Sequence, residues 1–242
     1  LALALELARD GYNLVLVARD GKALQKAAEA VKNCGAADVV AMPLDLSQSD
    51  APQTLFDELN KSGIEIEVLV NNAGLGNYGF FADTDLDKAL RMMYVNMQTL
   101  TALSKLFLMP MLTRGHGHIL NLASLTAYQP GGPKMAVYYA TKSYVLSFTK
   151  ALRAELHGSG VNVTALCPGP VASAFGSRSG VGNTLLYRLP KPSPEYIARA
   201  GYRGMKRGRA VVIPGLLAKL LAFAGELPPR RMALMVNKGL LR

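Results

Sequence analysis

The sequence predicts a single α/β domain built on a parallel, doubly wound β-sheet. Short apolar runs alternate with helical patterns along most of the chain, which is the arrangement that βαβ units produce. Half of the 242 residues are hydrophobic, so the chain can bury a large core. Several chemically distinctive residues directly follow apolar runs, and ligands of such sheets bind outside the carboxyl ends of the strands. We therefore expect a ligand site along that edge.

The predicted elements follow one another in a regular order. The chain opens with an amphipathic helix over 1–11, which has no start signal of its own. Strands are expected at 13–18, 38–44, 65–70, 119–122, 161–166 and 210–213. Helices are expected at 20–34, 50–61, most of 85–113, 137–157 and 194–206, and a mobile loop rich in Gly, Ser and Pro is expected at 170–193. We assign residues 1–213 to this domain and residues 214–242 to a basic amphipathic extension.

Residues 117–150 are the stretch around which the predicted site is organised. A covered strand ends just before Ser124, the Gly131-Gly132-Pro133 segment breaks the chain, and a helix then carries Tyr138 and Lys142. The last two are four residues apart, so they lie on one helix face. A Tyr and a Lys at this spacing also occur on solvated helix faces, but a serine at the end of the preceding strand favours a functional site.

These three residue types suit proton exchange with a carbonyl or an alcohol. A free phenol has a pKa of about 10, which is too high for easy proton exchange at neutral pH. An ammonium about 4 to 6 Å away favours the phenolate and lowers that pKa. With a serine hydroxyl to hold the substrate oxygen, the trio predicts general acid/base catalysis of a C=O/CH–OH interconversion.

Charge and cysteine usage limit the other classes of function. The net charge is +10, yet residues 1–187 hold 15 Lys/Arg and 15 Asp/Glu, so the whole excess lies in residues 188–242, with 12 Lys/Arg and 2 Glu. Two distant cysteines, Cys34 and Cys167, indicate a reducing compartment, so we expect a cytoplasmic protein without disulfides. The three histidines lack metal-ligand spacing, and we expect no metal site.

Four motifs occur in order along the chain: Asn71-Asn72-Ala73-Gly74 with Asn96, Ser124, Tyr138-Tyr139-Ala140-Thr141-Lys142 and Pro168-Gly169-Pro170-Val171. In kind and order they resemble the motifs of the short-chain dehydrogenase/reductase family. The resemblance extends to about Ile213. It implies a Rossmann-like sheet and a nicotinamide-dependent oxidoreductase that forms a homodimer or homotetramer through the helices at 97–113 and 137–157.

The resemblance also implies a role for each catalytic residue. Tyr138 would donate a proton to a ketone or accept one from an alcohol, and Lys142 would lower its pKa and bind the nicotinamide ribose. Ser124 would hold the substrate oxygen, and Asn96 would position a water in the proton relay. The family pattern Tyr-x-Ala-Ser/Thr-Lys selects Tyr138 over the neighbouring phenol of Tyr139.

The amino end departs from the family pattern. The family starts with a strand and a glycine-rich turn, Thr-Gly-x-x-x-Gly-x-Gly, which receives the pyrophosphate at a helix amino terminus. Residues 1–9 match only the rest of that helix. We therefore expect the intact gene product to carry this strand upstream, and the chain without it to fold poorly and bind cofactor weakly.

The end of the strand at 13–18 predicts NADP(H) rather than NAD(H). Ala18 occupies the place where NAD-preferring relatives tend to carry Asp, and Arg19, which can pair a 2′-phosphate, comes next. A solvated strand-end charge is the alternative for Arg19, and Asp20 could simply cap the following helix. The other cofactor contacts implied by the resemblance are Asp45, Leu46, Asn72, Ala73, Gly74, Tyr138, Lys142, Pro168, Gly169, Val171 and Ser173.

Substrate identity is weakly encoded. Phe175, Leu185, Leu186 and Tyr187 in the loop suggest a small apolar carbonyl or alcohol substrate, although they could equally pack the loop onto the core. A ketone, a 3-oxoacyl chain and a steroid-like alcohol all stay open. Two other hypotheses are a non-catalytic dinucleotide-binding regulator and a membrane-surface scaffold on the same fold.

The extension at 214–242 predicts two amphipathic helices, over 216–224 and 232–241, with basic flanks. Neither reaches the roughly 20 apolar residues that a membrane span needs. Attachment to an anionic membrane surface is one interpretation. Packing against a partner subunit or the protein's own loop is the other. Nucleic-acid binding is disfavoured, because the basic segment has no interleaved aromatic residues.

Overall fold

A computed structural model describes residues 1–226 and 230–241, the side chains of 230–234 excepted, and confirms the α/β fold. The strands are β1 Leu14–Ala18, β2 Val39–Pro43, β3 Val68–Asn71, β4 Gly117–Leu122, β5 Val161–Leu166 and β6 Val211–Val212. The helices are α1 Ala2–Arg9, α2 Gly21–Lys32, α3 Ala51–Lys61, α4 Leu86–Met93, α5 Leu100–Arg114, α6 Ala136–Glu155, α7 Phe175–Ser179, α8 Leu185–Arg188, α9 Pro194–Lys206, α10 Leu216–Glu226 and α11 Arg230–Leu240.

All paired strands of the described residues run parallel. β1 pairs with β2, and β3, β4, β5 and β6 form a second sheet in that order. β1 and β3 share no hydrogen-bond ladder within this part of the chain, although Val15 and Leu69 pack in one hydrophobic cluster. The break falls where the family resemblance puts the glycine-rich strand, whose presence upstream stays a prediction.

The core lies on both faces of the sheet, as a doubly wound fold requires. Neighbouring residues of β4 point to opposite faces, so Ile119 packs with Phe107 and Met111 of α5, while Leu120 packs with Met205 of α9. Each face is therefore covered by helices. The helices on the two faces bury the strands and leave the carboxyl ends of the strands as the open edge of the sheet.

Most predicted elements occur within a few residues of their expected bounds, with three differences. The segment predicted as a loop at 170–193 contains α7 and α8. The predicted helix at 85–113 is interrupted by a π-helical segment, Tyr94–Thr99. The strand expected at 65–70 begins only at Val68.

The extension forms the two expected helices, α10 and α11. Residues 227–229 and 242 of this predicted segment lie outside the described residues. The inner side of α10 packs on the loop after β4, where Gln129 Nε2 donates to the carbonyl of Leu221 at 2.9 Å. In the part of the chain that the structure covers, none of the helices combines the length and the apolar character needed to cross a bilayer. The boundary between residues 213 and 214 stays a prediction.

Candidate active site

The end of β4 and the start of α6 bring the predicted trio together. Ser124 follows the strand and caps a short helical turn, with its hydroxyl accepting from the Thr126 N–H at 3.2 Å. The phenol of Tyr138 lies close enough to that hydroxyl for Ser124 to lower the pKa of the phenol. Tyr139 instead packs against Gly132, whose missing Cβ would lie 2.3 Å from the Tyr139 ring. Tyr138 is therefore the phenol beside the serine.

Tyr138 and Lys142 share one face of α6 and are both buried, with 8% and 5% of their surfaces exposed. Lys142 Nζ lies 5.9 Å from the Tyr138 ring centroid and donates to the Leu122 carbonyl at 2.7 Å. The carbonyl at the end of β4 thus orients the ammonium below the phenol. In this position the ammonium can stabilise negative charge that develops on the phenol oxygen.

The protonation behaviour differs from the sequence-based expectation. Burial raises the pKa of Tyr138 above its ordinary value, and the neighbouring Ser124 hydroxyl only partly opposes that rise. Burial also lowers the pKa of Lys142 to about 8. The expected lowering of the phenol pKa by Lys142 is therefore wrong for this arrangement, because loss of hydration outweighs the distant ammonium. Tyr138 is protonated at neutral pH.

Asn96 lies in the π-helical segment between α4 and α5, a type of distortion that often marks functional sites. Its Oδ1 accepts from the Leu75 N–H at 2.8 Å, and its Nδ2 donates to the Leu75 carbonyl and to Thr141 Oγ1, both at 3.0 Å. Asn96 thereby ties the loop after β3 to α6. The water-positioning role that the resemblance gives it stays a prediction.

The loop after β3 is exposed and lies beside Lys142. Asn72, Ala73 and Gly74 are exposed. A Cβ at Gly74 would lie 3.4 Å from Asn96 Oδ1 and 3.5 Å from Lys142 Nζ, so a side chain there would crowd both groups. An extended ligand can approach this backbone closely, as a dinucleotide requires.

Arg19 lies at the other end of this edge, with 68% of its side chain exposed. It is 3.8 Å from Asp45 Oδ2, while Arg91 Nη2 donates to the same oxygen at 2.7 Å. Asp45 Oδ1 accepts from the N–H and hydroxyl of Ser47, so Asp45 also caps the turn that follows β2. Asp20 accepts from a backbone N–H of α2, as its capping alternative expected.

The remaining predicted cofactor residues line the same edge of the sheet or the start of the segment 170–193, which we call the lid. The Leu46 carbonyl accepts from Thr99 Oγ1 at 2.8 Å, and the Pro168 carbonyl accepts from the Leu125 N–H at 2.8 Å. Gly169 touches Leu125 without crowding, Val171 packs against the core, and Ser173 is exposed. Together with Arg19 and Lys142 they fit a nicotinamide dinucleotide laid along the carboxyl ends of the strands.

Two residues at the site were not assigned to it by the sequence. Arg91 reaches Asp45 from 46 residues away, and no local pattern marks that pairing. Leu241 belongs to the same buried cluster as Tyr138. The Phe175 ring, which the sequence predicted either to contact an apolar substrate or to pack its loop onto the core, lies 5.3 Å from the Tyr138 ring. By contrast, Leu185, which carried the same prediction, is exposed.

The fold and the site define a dinucleotide-dependent oxidoreductase of the α/β class. Residues 1–181 match the family described as short chain dehydrogenase. The chain is 31% identical over 239 residues to a ketoacyl reductase, HetN, from Nostoc sp., with 94% of this chain and 80% of that protein covered. The chain therefore belongs to the short-chain dehydrogenase/reductase family, and it is an NAD(P)-dependent enzyme that interconverts CH–OH and C=O groups.

Two solved structures show the same architecture at moderate identity. A short-chain dehydrogenase from Sphingobium yanoikuyae in complex with NADPH is 29% identical, covers 97% of this chain and 90% of its own, and has a TM-score of 0.82. A bulky-bulky ketone specific alcohol dehydrogenase from Comamonas testosteroni is 26% identical, covers 97% and 88%, and has a TM-score of 0.77.

Proposed function

We propose that this protein is an NADP(H)-dependent oxidoreductase in which Tyr138 is the general acid/base for an apolar ketone or secondary alcohol. The observation that carries the proposal is the convergence of Ser124, Tyr138 and Lys142 in one buried cluster. A solvated Tyr–Lys pair would leave both side chains in water, whereas these two are almost fully buried.

In the reducing direction the substrate carbonyl oxygen accepts hydrogen bonds from Ser124 and Tyr138. The bound cofactor supplies the hydride to the carbonyl carbon. As negative charge develops on the oxygen, Tyr138 donates its proton to it and the product is the alcohol. The raised pKa of Tyr138 suits this step, because the phenol enters it fully protonated. The ammonium of Lys142 stabilises the phenolate that is left.

The test is NADPH oxidation by the intact protein against a panel of ketones. Changing Tyr138 to Phe removes the proton donor, and we expect kcat to fall about 10²- to 10⁴-fold with NADPH binding retained. Tyr139→Phe is the matched control, since this phenol is next in sequence but packs against Gly132; it should keep most of the activity. Tight NADPH binding without turnover of any carbonyl would favour the non-catalytic regulator instead.

The preference for NADP(H) rests on Arg19. Its guanidinium is exposed, and Arg91 is the closer partner of the only carboxylate it approaches among the described residues, so Arg19 is available to a 2′-phosphate. The NADPH complex of the Sphingobium yanoikuyae relative supports the same preference. We expect Arg19→Ala to weaken NADPH binding far more than NADH binding. Equal losses for the two cofactors, measured by fluorescence titration, would refute this role.

An apolar substrate is supported by the side chains that surround the phenol. Phe175, Leu186 and Tyr187 of the lid pack in one cluster with Tyr138. A ketoacyl reductase and a bulky-bulky ketone specific alcohol dehydrogenase are among the similar proteins, and both names describe carbonyl substrates. A size series of ketones would identify the preferred class.

We also propose a homodimer or homotetramer assembled through α5 and α6. Met109 of α5 and Tyr144 of α6 are exposed, and the Tyr144 ring stacks on Phe148 at 5.9 Å. Large apolar groups on one surface favour contact with a second copy. Light scattering of the intact protein tests this: Met109→Glu should give monomers, and an unchanged mass would contradict the interface.

Contact with an anionic membrane surface is supported by the outer face of α10. Leu216, Leu217, Leu220 and Phe223 are exposed at helical spacing, and the extension carries five Lys/Arg against one Glu. The wild-type protein should float together with phosphatidylserine-containing liposomes, whereas the double variant Leu217→Ser/Phe223→Ser should stay at the bottom of the gradient. Flotation of neither would point to a second copy as the occupant of this face. The expected location is then the cytoplasm, at a membrane surface.

A further inference from the structure

The last described residues of the chain are bound to loops beside the candidate active site and reach the hydrophobic cluster that contains Tyr138. We call residues 237–241 the C-terminal strap. Its Leu241 has only 2% of its surface exposed, and it is packed in the same cluster as Tyr138, Met92 and Met135. Two large apolar residues of α11, the helix that ends just before Leu241, are exposed: Met235 and Val236. The burial of Leu241 is therefore specific to the end that reaches the site.

Hydrogen bonds hold the strap in place at both ends. Asn237 Nδ2 donates to the Gly131 carbonyl at 2.6 Å, and Tyr78 Oη donates to the Leu241 carbonyl at 2.5 Å. Lys134 Nζ in turn donates to Tyr78 Oη at 3.2 Å. The strap is thus tied to the two loops that flank Tyr138.

The position of Lys134 shows that its loop is constrained. Its φ is +68°, a left-handed conformation that is unfavourable for a residue with a side chain. The Lys134 carbonyl accepts from the Gly79 N–H at 2.9 Å, and its ammonium lies over the Tyr78 and Phe80 rings. These contacts hold the loop so that it presents the Tyr78 hydroxyl to the strap.

The strap leaves little room beside the phenol. Phe175 covers one side of the Tyr138 ring, and Leu241 fills the cluster on which the apolar body of a substrate would pack. Resting on the proposed function, we infer that Leu241 is a specificity-determining residue, and that the strap sets the largest substrate that can reach Tyr138. Shortening this side chain should open space for bulkier ketones.

The experiment measures kcat/KM of the intact enzyme with NADPH for 2-butanone, cyclohexanone and α-tetralone. In Leu241→Ala the ratio of kcat/KM for α-tetralone to that for 2-butanone should rise about tenfold or more, since a few methylenes in an apolar pocket are worth that much discrimination. Met235→Ala, at an exposed position of α11 just before the strap, is the matched control and should keep the wild-type ratio.

A second variant separates selectivity from folding. Tyr78→Phe keeps the ring but removes the hydrogen bond to the Leu241 carbonyl, so it should shift the same ratio in the same direction with an unchanged melting temperature. Loss of activity in equal proportion on all three ketones, or no change in the ratio for either variant, would overturn the inference. If the wild type reduces none of the ketones, the proposed function itself fails, and this inference fails with it.

Discussion

Replacing Lys142 with Met should change how the stability of this protein depends on pH. Lys142 as a whole has only 5% of its surface exposed, and burial lowers its pKa from 10.5 to about 8. The folded state therefore resists the charged form, while the unfolded state accepts it freely. The methionine is of similar length and carries no charge, so it removes the titration and keeps the volume.

The sign and the size follow from proton linkage. Between the folded pKa near 8 and the unfolded pKa near 10.5, the unfolded state binds more protons, so the stability contributed by Lys142 rises with pH. The penalty of burying the ammonium is fully present below pH 8 and is relieved above it. From pH 7 to pH 9 the relief amounts to about 1.4 kcal/mol, since one pKa unit corresponds to about 1.4 kcal/mol.

Urea denaturation at pH 7, 8 and 9 measures this effect. The free energy of unfolding of the wild type minus that of Lys142→Met should increase by about 1.4 kcal/mol across the range. The hydrogen bond to the Leu122 carbonyl is lost in the variant at every pH, so it shifts the whole difference without changing its slope. Lys150→Met is the matched control, because Lys150 is an exposed lysine of the same helix, and it should keep the wild-type slope.

Parallel pH curves for the wild type and Lys142→Met would refute the argument. They would mean that the ammonium keeps an ordinary pKa and is not held in a dehydrated site below Tyr138. The stabilisation of the phenolate by a buried charge would then lose its basis. Greater loss of activity than of NADPH binding in the same variant would support the catalytic role independently of stability.

Three further predictions concern the rest of the fold. Gly160→Ala should lower the free energy of unfolding by about 2 kcal/mol or more, seen as a lower melting temperature, because its φ is +80° and a Cβ would lie 1.8 Å from a backbone carbonyl oxygen. Asn121→Leu should cost about 2 to 3 kcal/mol in urea denaturation, because it leaves the Thr149 hydroxyl without its buried donor at 3.0 Å; no loss would contradict the network. Iodoacetamide should label Cys34 and spare Cys167, which is fully buried with its pKa raised to about 12; equal labelling by mass spectrometry would contradict this.

Local patterns were sufficient for the framework of the site. Four-residue spacing determines that Tyr138 and Lys142 share a helix face, and a strand of Gly, Ile and Leu puts Ser124 at the edge of a parallel sheet. The exposed Arg19 likewise follows its strand directly. Each of these features depends on residues close in sequence, so periodicity and turn chemistry could predict them.

Long-range packing decided what the sequence pattern could not. Arg91 reaches Asp45 across the strand edge, and the strap brings Leu241 into the cluster that contains Tyr138. The direction in which the pKa of Tyr138 shifts could not be predicted from the sequence either, because the shift depends on how completely neighbouring elements exclude water. The sequence by itself determined which polar groups follow the strands of the sheet and which two share one face of α6. Only the tertiary structure decided how far water is excluded from the site and which side chains enclose it, because burial comes from residues that are distant along the chain.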